Sequence, residues 1–169
     1  MLKHSLGATK DRPTGEDNDC AVIALANAAG IPYAEAHQRL AAQGRRPRHG
    51  TKTSASSRAL HQLVSDGKLA KVTEQVIGVP MSMLSRGYRL GYPTVAQFLR
   101  SLPKQGSYFL SCTTHAFAYV DGVLYDNIDG GKMRARMKRC FKLDKLNNSQ
   151  QLTQADISEL WERLNKIKL

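Results

Sequence analysis

Acidic residues are scarce in this chain. Over 169 residues, 14 Asp and Glu stand against 25 Lys and Arg, for a formal net charge of +11. An excess of that size draws polyanions and acidic surfaces at long range without naming a partner. Cysteine is scarce too. Cys20, Cys112 and Cys140 show no CxxC spacing, and any pairing leaves one thiol over. That argues against a disulfide framework and for free thiols in a reducing compartment. Closely spaced ligand pairs are missing, so no metal site is expected. The scattered methionines form no cofactor box, and no cofactor is expected. No apolar run approaches the roughly 18–20 residues of a membrane span. The segment from Met1 to Gly7 lacks the apolar stretch of a secretory signal, which gives a cytoplasmic expectation. Repeats and low-complexity segments are also absent. With 41% hydrophobic residues, the chain is expected to form one domain over 1–169, with a core of about 15–145.

What is present is ordered as helices first and strands second. Residues 1–19 carry turn and breaker signals and read as irregular. A helix is expected from Cys20, capped by Asp19 or Asn18 and closed by Gly30. A second runs from Pro32 to Gln43, with Tyr33, Ala36, Leu40 and Ala41 on one face and Gly44 just beyond its end. After the basic loop Arg45–Thr53, a third helix spans Ser54–Asp66 with Leu60, Leu63 and Val64 inward. Lys68–Gly78 reads as a strand and Thr94–Ser101 as a short helix capped by Thr94. Strands follow at Ser107–Cys112, His115–Val120, Val123–Ile128 and around Cys140–Leu143. An amphipathic helix over 152–167, with Trp161 on its apolar face, ends the chain. This order predicts an α+β fold with an antiparallel sheet.

The chemistry sits at the junctions of these elements. Cys20 opens a helix, where the dipole and the unpaired N–H groups of the first turn favour the reactive thiolate. His115 opens a strand. Asp121-Gly122 is a strong type I′ hairpin signal. A two-residue loop there pairs Val120 with Val123, so His115, Phe117 and Tyr119 share a face with Leu124, Asp126 and Ile128. Asp126 then lies diagonal to His115, within reach of it. A β-bulge would bring in Asn127 instead. Cys20 is the expected nucleophile, His115 the base, and Asp126 (alternatively Asn127) the residue that orients the ring. The backbone N–H of Cys20 would stabilise an oxyanion, with Asn18 as the expected second donor. Cys112, within a strand, reads as packed. Two basic clusters, Arg45, Arg46 and Arg48 with His49, and Lys132, Arg134 and Arg136, are candidate anion- or partner-binding groups.

The run Asn18-Asp19-Cys20-Ala21-Val22-Ile23-Ala24-Leu25-Ala26-Asn27, the segment Gly44–Thr51 and the segment Thr114–Asp126 resemble small papain-like cysteine proteins related to C39-type peptidases, many of them found in bacteriophages and bacteria. The resemblance covers about residues 15–130. It implies a papain-like fold with the Cys helix packed on an antiparallel sheet that carries the His and its partner. It also implies a cysteine peptidase, isopeptidase or deamidase acting on a protein or peptide substrate, with acidic substrates favoured by the charge. The papain pattern has a Gln several residues before the Cys, whereas no Gln precedes Cys20. The alternative is therefore an inactive papain-like scaffold of phage origin that grips nucleic acid or a host protein through its basic clusters.

Overall fold

The computed structural model describes residues 3–7, 9–75, 77, 92–126 and 132–146. The elements in chain order are β1 (Lys3–Leu6), α1 (Cys20–Ala29), α2 (Tyr33–Ala42), α3 (Thr53–Ser65), β2 (Leu69–Gln75), α4 (Val95–Ser101), β3 (Ser107–Cys112), β4 (Ala116–Val120), β5 (Val123–Asp126) and β6 (Met137–Lys145). All six strands join one sheet in the order β1-β5-β4-β3-β6-β2. Pairing is antiparallel throughout except for β1, which lies parallel to β5 at one edge. The class is α+β, as the order of the sequence signals predicts. Asn127, the residues after it to 131, and the expected helix over 152–167 with Trp161 lie outside the described residues.

The central element is α1. Its Ala-rich sequence is buried on nearly every side, from Ala21 to Ala29 with only Asn27 less enclosed. Small side chains let its backbone approach the sheet closely, and helices buried all round read as apolar throughout. Gly30 ends it in the left-handed conformation at φ 69°, which only glycine adopts without strain. One core joins α1, α2 and α3 to Phe109, Ala116, Ala118, Phe141 and Leu143 on one face of the sheet. A second joins Val95 and Leu99 of α4 to Tyr108, Leu110, Phe117, Tyr119 and Leu124 on the other. Successive strand residues thus serve opposite cores, which is why every residue of β3 is buried.

Local chemistry places most boundaries. Asp121 (φ 47°) and Gly122 (φ 85°) form the turn between β4 and β5, and Val120 pairs with Val123, the expected register. Thr94 caps α4 through a full capping box with Gln97. Pro32 precedes the first residue of α2, and Tyr33, Ala36 and Leu40 are its buried face. Ala41, expected on that face, is exposed, because it lies about 100° round the helix from Leu40.

The N-terminal expectation needs correcting. Lys3–Leu6 is a strand, not irregular chain. It is short, and three of its four residues are polar, so the sequence carries no alternation that marks it. Its hydrogen bonds come from β5, including Gly7 N–H to the Asp126 carbonyl at 2.9 Å. Gly7 is required there: a Cβ at that position would lie 2.1 Å from Ile23 Cγ2 on α1.

Candidate active site

Cys20 is the first residue of α1, and its position is set by the residue before it. Asp19 is fully buried. Arg12 grips its carboxylate with two nitrogens, Nη2 to Oδ1 at 2.9 Å and Nε to Oδ2 at 2.8 Å, and the Tyr33 hydroxyl donates to Oδ2 at 2.8 Å. The side chain therefore does not cap the helix as expected; α1 has no side-chain cap. Instead the Asp19 carbonyl accepts the N–H groups of Val22 and Ile23, and the carboxylate ties the approach loop to α2. A buried carboxylate held by a bidentate guanidinium and a hydroxyl is a rigid anchor.

His115 immediately precedes β4, and Asp126 ends β5. The hairpin register carries them together: His115 Nε2 lies 2.6 Å from Asp126 Oδ1, with both side chains almost wholly enclosed. Asp126 takes Nε2, so Nδ1 is the nitrogen available to Cys20. The Phe117 ring stacks beside the imidazole, centroids 6.1 Å apart. Burial pushes the Cys20 thiol up, but a hydrogen bond from His115, the N–H groups of Ala116 and Ala21, and the charge on His115 outweigh it and leave the thiol below its ordinary value. Burial likewise disfavours the charged imidazole. Asp126 first and Cys20 second overcome that, raising His115 from 6.5 to about 9. The two shifts describe one ion pair, thiolate beside imidazolium, whose titration belongs to the pair. Cys140 is the opposite case: burial alone pushes its thiol up to about 12.

Of the expected site, Cys20, His115 and Asp126 come together. Asn18 does not join them. It is exposed, and its amide donates to the Arg48 carbonyl at 3.0 Å and faces Asp17 Oδ1 at 3.3 Å. The basic loop claims it, so it is not the second oxyanion donor. Asn127 lies outside the described residues. The cleft beside Cys20, of about 180 Å³, is lined instead by hydroxyls, among them Thr51, Ser56, Ser111 and Thr113. The Oγ atoms of Thr51 and Ser111 are buried without a hydrogen-bond partner among the described residues. Ser111 was legible in principle: it alternates with Phe109 on the α1 side of β3 and pairs with Ala116. Cys112 also lines the cleft, brought there by a register shift between it and Ser111.

The basic clusters divide. Arg45 is not a surface cation. It is buried, with Nη2 on Glu16 Oε1 at 2.8 Å. Burial works against the Glu16 charge, but the Arg48 N–H and the Arg45 guanidinium hold its carboxyl below the usual range. Arg48, at φ 59°, donates its backbone N–H to Glu16; Arg46 is exposed. Lys132 reaches Thr114 Oγ1 at 3.2 Å, at the rim of the cleft. Arg136 donates to the Tyr92 carbonyl at 3.0 Å, and Arg134 is exposed. Among the described residues, no group of three or more His, Cys, Asp or Glu is placed to hold a metal ion, and no helix is long and apolar enough to cross a membrane. Scans against family models, curated proteins and solved structures match nothing in this chain.

Proposed function

We propose that the chain is a papain-like, cysteine-dependent hydrolase or acyl-transfer enzyme acting on a peptide, isopeptide or side-chain amide. The observation that carries this reading is the enclosed row of Cys20, His115 and Asp126, with His115 Nε2 at 2.6 Å from Asp126 Oδ1 and the thiol lowered by His115. The arrangement of elements supports the papain-like assignment: the thiol opens a buried helix, the His immediately precedes β4, and the acid ends β5, the antiparallel neighbour of β4.

In this mechanism His115 takes the Cys20 proton, and the thiolate attacks the substrate carbonyl carbon, forming a C–S bond and an oxyanion. The Cys20 backbone N–H and a cleft hydroxyl, Ser111 or Thr51, donate to that oxyanion in place of the absent Gln. Collapse of the intermediate breaks the C–N bond, and the imidazolium protonates the departing amine. Water or an acceptor amine then attacks the thioester with His115 as base, the C–S bond breaks, and the thiol recovers its proton. Asp126 orients the ring and stabilises its charge throughout. The test is alkylation of the native protein with iodoacetamide, read by peptide mass spectrometry. Cys20 should react at least about tenfold faster than Cys112 or Cys140 near neutral pH, and His115→Ala should slow it. Equal reactivity of the three thiols overturns the reading.

The net charge of +11 favours a second reading, an inactive scaffold that binds nucleic acid through exposed cations such as Arg46 and Arg134. Its mark is an affinity for DNA or RNA that falls steeply with added salt.

A further inference from the structure

Cleavage of a main-chain peptide bond and cleavage of a side-chain amide pass through the same thioester, and the shape of the Cys20 cleft separates them. The cleft, about 180 Å³, is smaller than the roughly 300–1,000 Å³ of pockets that take drug-sized ligands. Its inner wall is made of buried residues: Phe109, Ser111, His115 and Ala116 are each no more than 9% exposed. Gly50, Thr53, Thr113 and Thr114 form an exposed rim.

The leaving nitrogen narrows the substrate class. It takes its proton from the imidazole, so it must lie against the ring. The His115 side chain is only 4% exposed, with Asp126 on Nε2 and Phe117 stacked alongside. A main-chain nitrogen carries the rest of the polypeptide, which would have to leave past these groups. A primary carboxamide ends in NH2 and needs no such exit.

The polar lining agrees. Among the described residues, no Lys, Arg, Asp or Glu lines the cleft, so a charged side chain finds no ion-pair partner there. Thr51 Oγ1, from the α2–α3 loop, and Ser111 Oγ, from β3, are buried without a hydrogen-bond partner among the described residues. A hydroxyl both donates and accepts, and a carboxamide supplies both counterparts, an acceptor oxygen and two N–H donors. Buried polar groups left unpaired are costly, so a ligand that pairs both hydroxyls is selected over one that pairs a single hydroxyl.

We propose that the substrate is the side-chain carboxamide of a protein glutamine, entering the cleft end-on while its main chain stays outside the rim; this rests on the thiol reading above. Glutamine has one more methylene than asparagine to carry the amide past the rim to the half-buried Cys20. The thiolate forms a C–S bond to the amide carbon, the C–N bond breaks, and ammonia leaves with the proton held by His115. Water then attacks the thioester with His115 as base. The C–S bond breaks, leaving a glutamate side chain and the restored thiol.

The experiment compares two diazomethyl ketones on the full chain at neutral pH, read as the Cys20 adduct by peptide mass spectrometry. One is a short peptide in which a diazomethyl ketone replaces the amide of a glutamine side chain. The other keeps that glutamine and carries the diazomethyl ketone at its C-terminal carboxyl. In each, the diazo carbon takes the imidazolium proton and the thiolate displaces N2. The side-chain reagent should label Cys20 at least about tenfold faster. The double variant Thr51→Val/Ser111→Ala should bring the two rates together, with an unfolding midpoint equal to or above that of the native protein. Equal rates in the native protein, faster labelling by the C-terminal reagent, or a preference that the double variant leaves intact overturns the proposal. Labelling by neither reagent, while iodoacetamide still modifies Cys20 ahead of Cys112 and Cys140, overturns the glutamine assignment alone. If iodoacetamide shows no preference either, the thiol reading fails with it.

Discussion

Asp126→Asn separates charge from geometry at the site. The amide can still accept from His115 Nε2 across the 2.6 Å contact, so the ring keeps its orientation while the buried charge disappears. The size of the effect follows from the imidazole. Raising His115 from 6.5 to about 9 corresponds to about 3 kcal/mol favouring the charged ring, and it is reached against the cost of burial. Asp126 is the leading contributor and Cys20 the second. Without the carboxylate the imidazolium loses its leading support, and the positive partner of the thiolate is weakened. The assay is the rate of Cys20 alkylation across pH. In the native protein the rate should rise below the ordinary thiol value of 9.0, with the ion pair lost through about 9. In Asp126→Asn the thiolate should form at higher pH, with reactivity at neutral pH lower by about tenfold for each 1.4 kcal/mol removed. Stability carries the same signature. A folded value raised above the unfolded one gives His115 a stabilising contribution that is complete below 6.5 and lost as pH rises through about 9. Cys20 runs the other way: its lowered value stabilises the fold above 9.0 and loses that contribution as pH falls through the folded value. The variant should flatten the His115 loss. An alkylation profile identical to that of the native protein would refute the ion pair.

Ser111→Ala removes a buried hydroxyl without a described partner, so the unfolding midpoint should hold or rise. If Ser111 donates to the oxyanion, kcat should fall about 100-fold with KM little changed; a lowered midpoint with unchanged kcat would assign it to packing alone. Gly7→Val places a Cβ 2.1 Å from Ile23 Cγ2 and should cost about 1–3 kcal/mol in urea unfolding, whereas an unchanged midpoint would mean β1 does not dock on α1. Tyr33→Phe takes a hydrogen bond from the fully buried Asp19 and should cost about 1–3 kcal/mol, with slower Cys20 alkylation as the approach loop loosens. Cys140, pushed up to about 12 by burial, should resist alkylation until denaturant unfolds the sheet.

Local rules carried much of the architecture. A Pro before α2, a Gly after α1 and a Thr-x-x-Gln box at α4 mark helix ends because each answers a backbone need within a few residues. The strand β1 was not legible, since four residues of Lys-His-Ser-Leu acquire strand structure only from β5. Asn18 misled for a related reason. Its position two residues before Cys20 suggested an oxyanion donor, but its amide is drawn to the Arg48 carbonyl by a loop that folds back from α2.

The sequence by itself put His115 and Asp126 on one face of a hairpin, with Asn127 as the alternative that a bulge would bring in. A two-residue Asp-Gly turn sets the hairpin register, and strand side chains alternate, so the two must share a face. Only the tertiary structure decided which thiol meets that pair, which hydroxyls line the cleft, and that Arg45 is buried on Glu16 while Arg46 stays exposed. Those outcomes depend on how α1 packs on the sheet and how the α2–α3 loop closes. Packing and closure join residues far apart in the chain, where no local periodicity reports the contact.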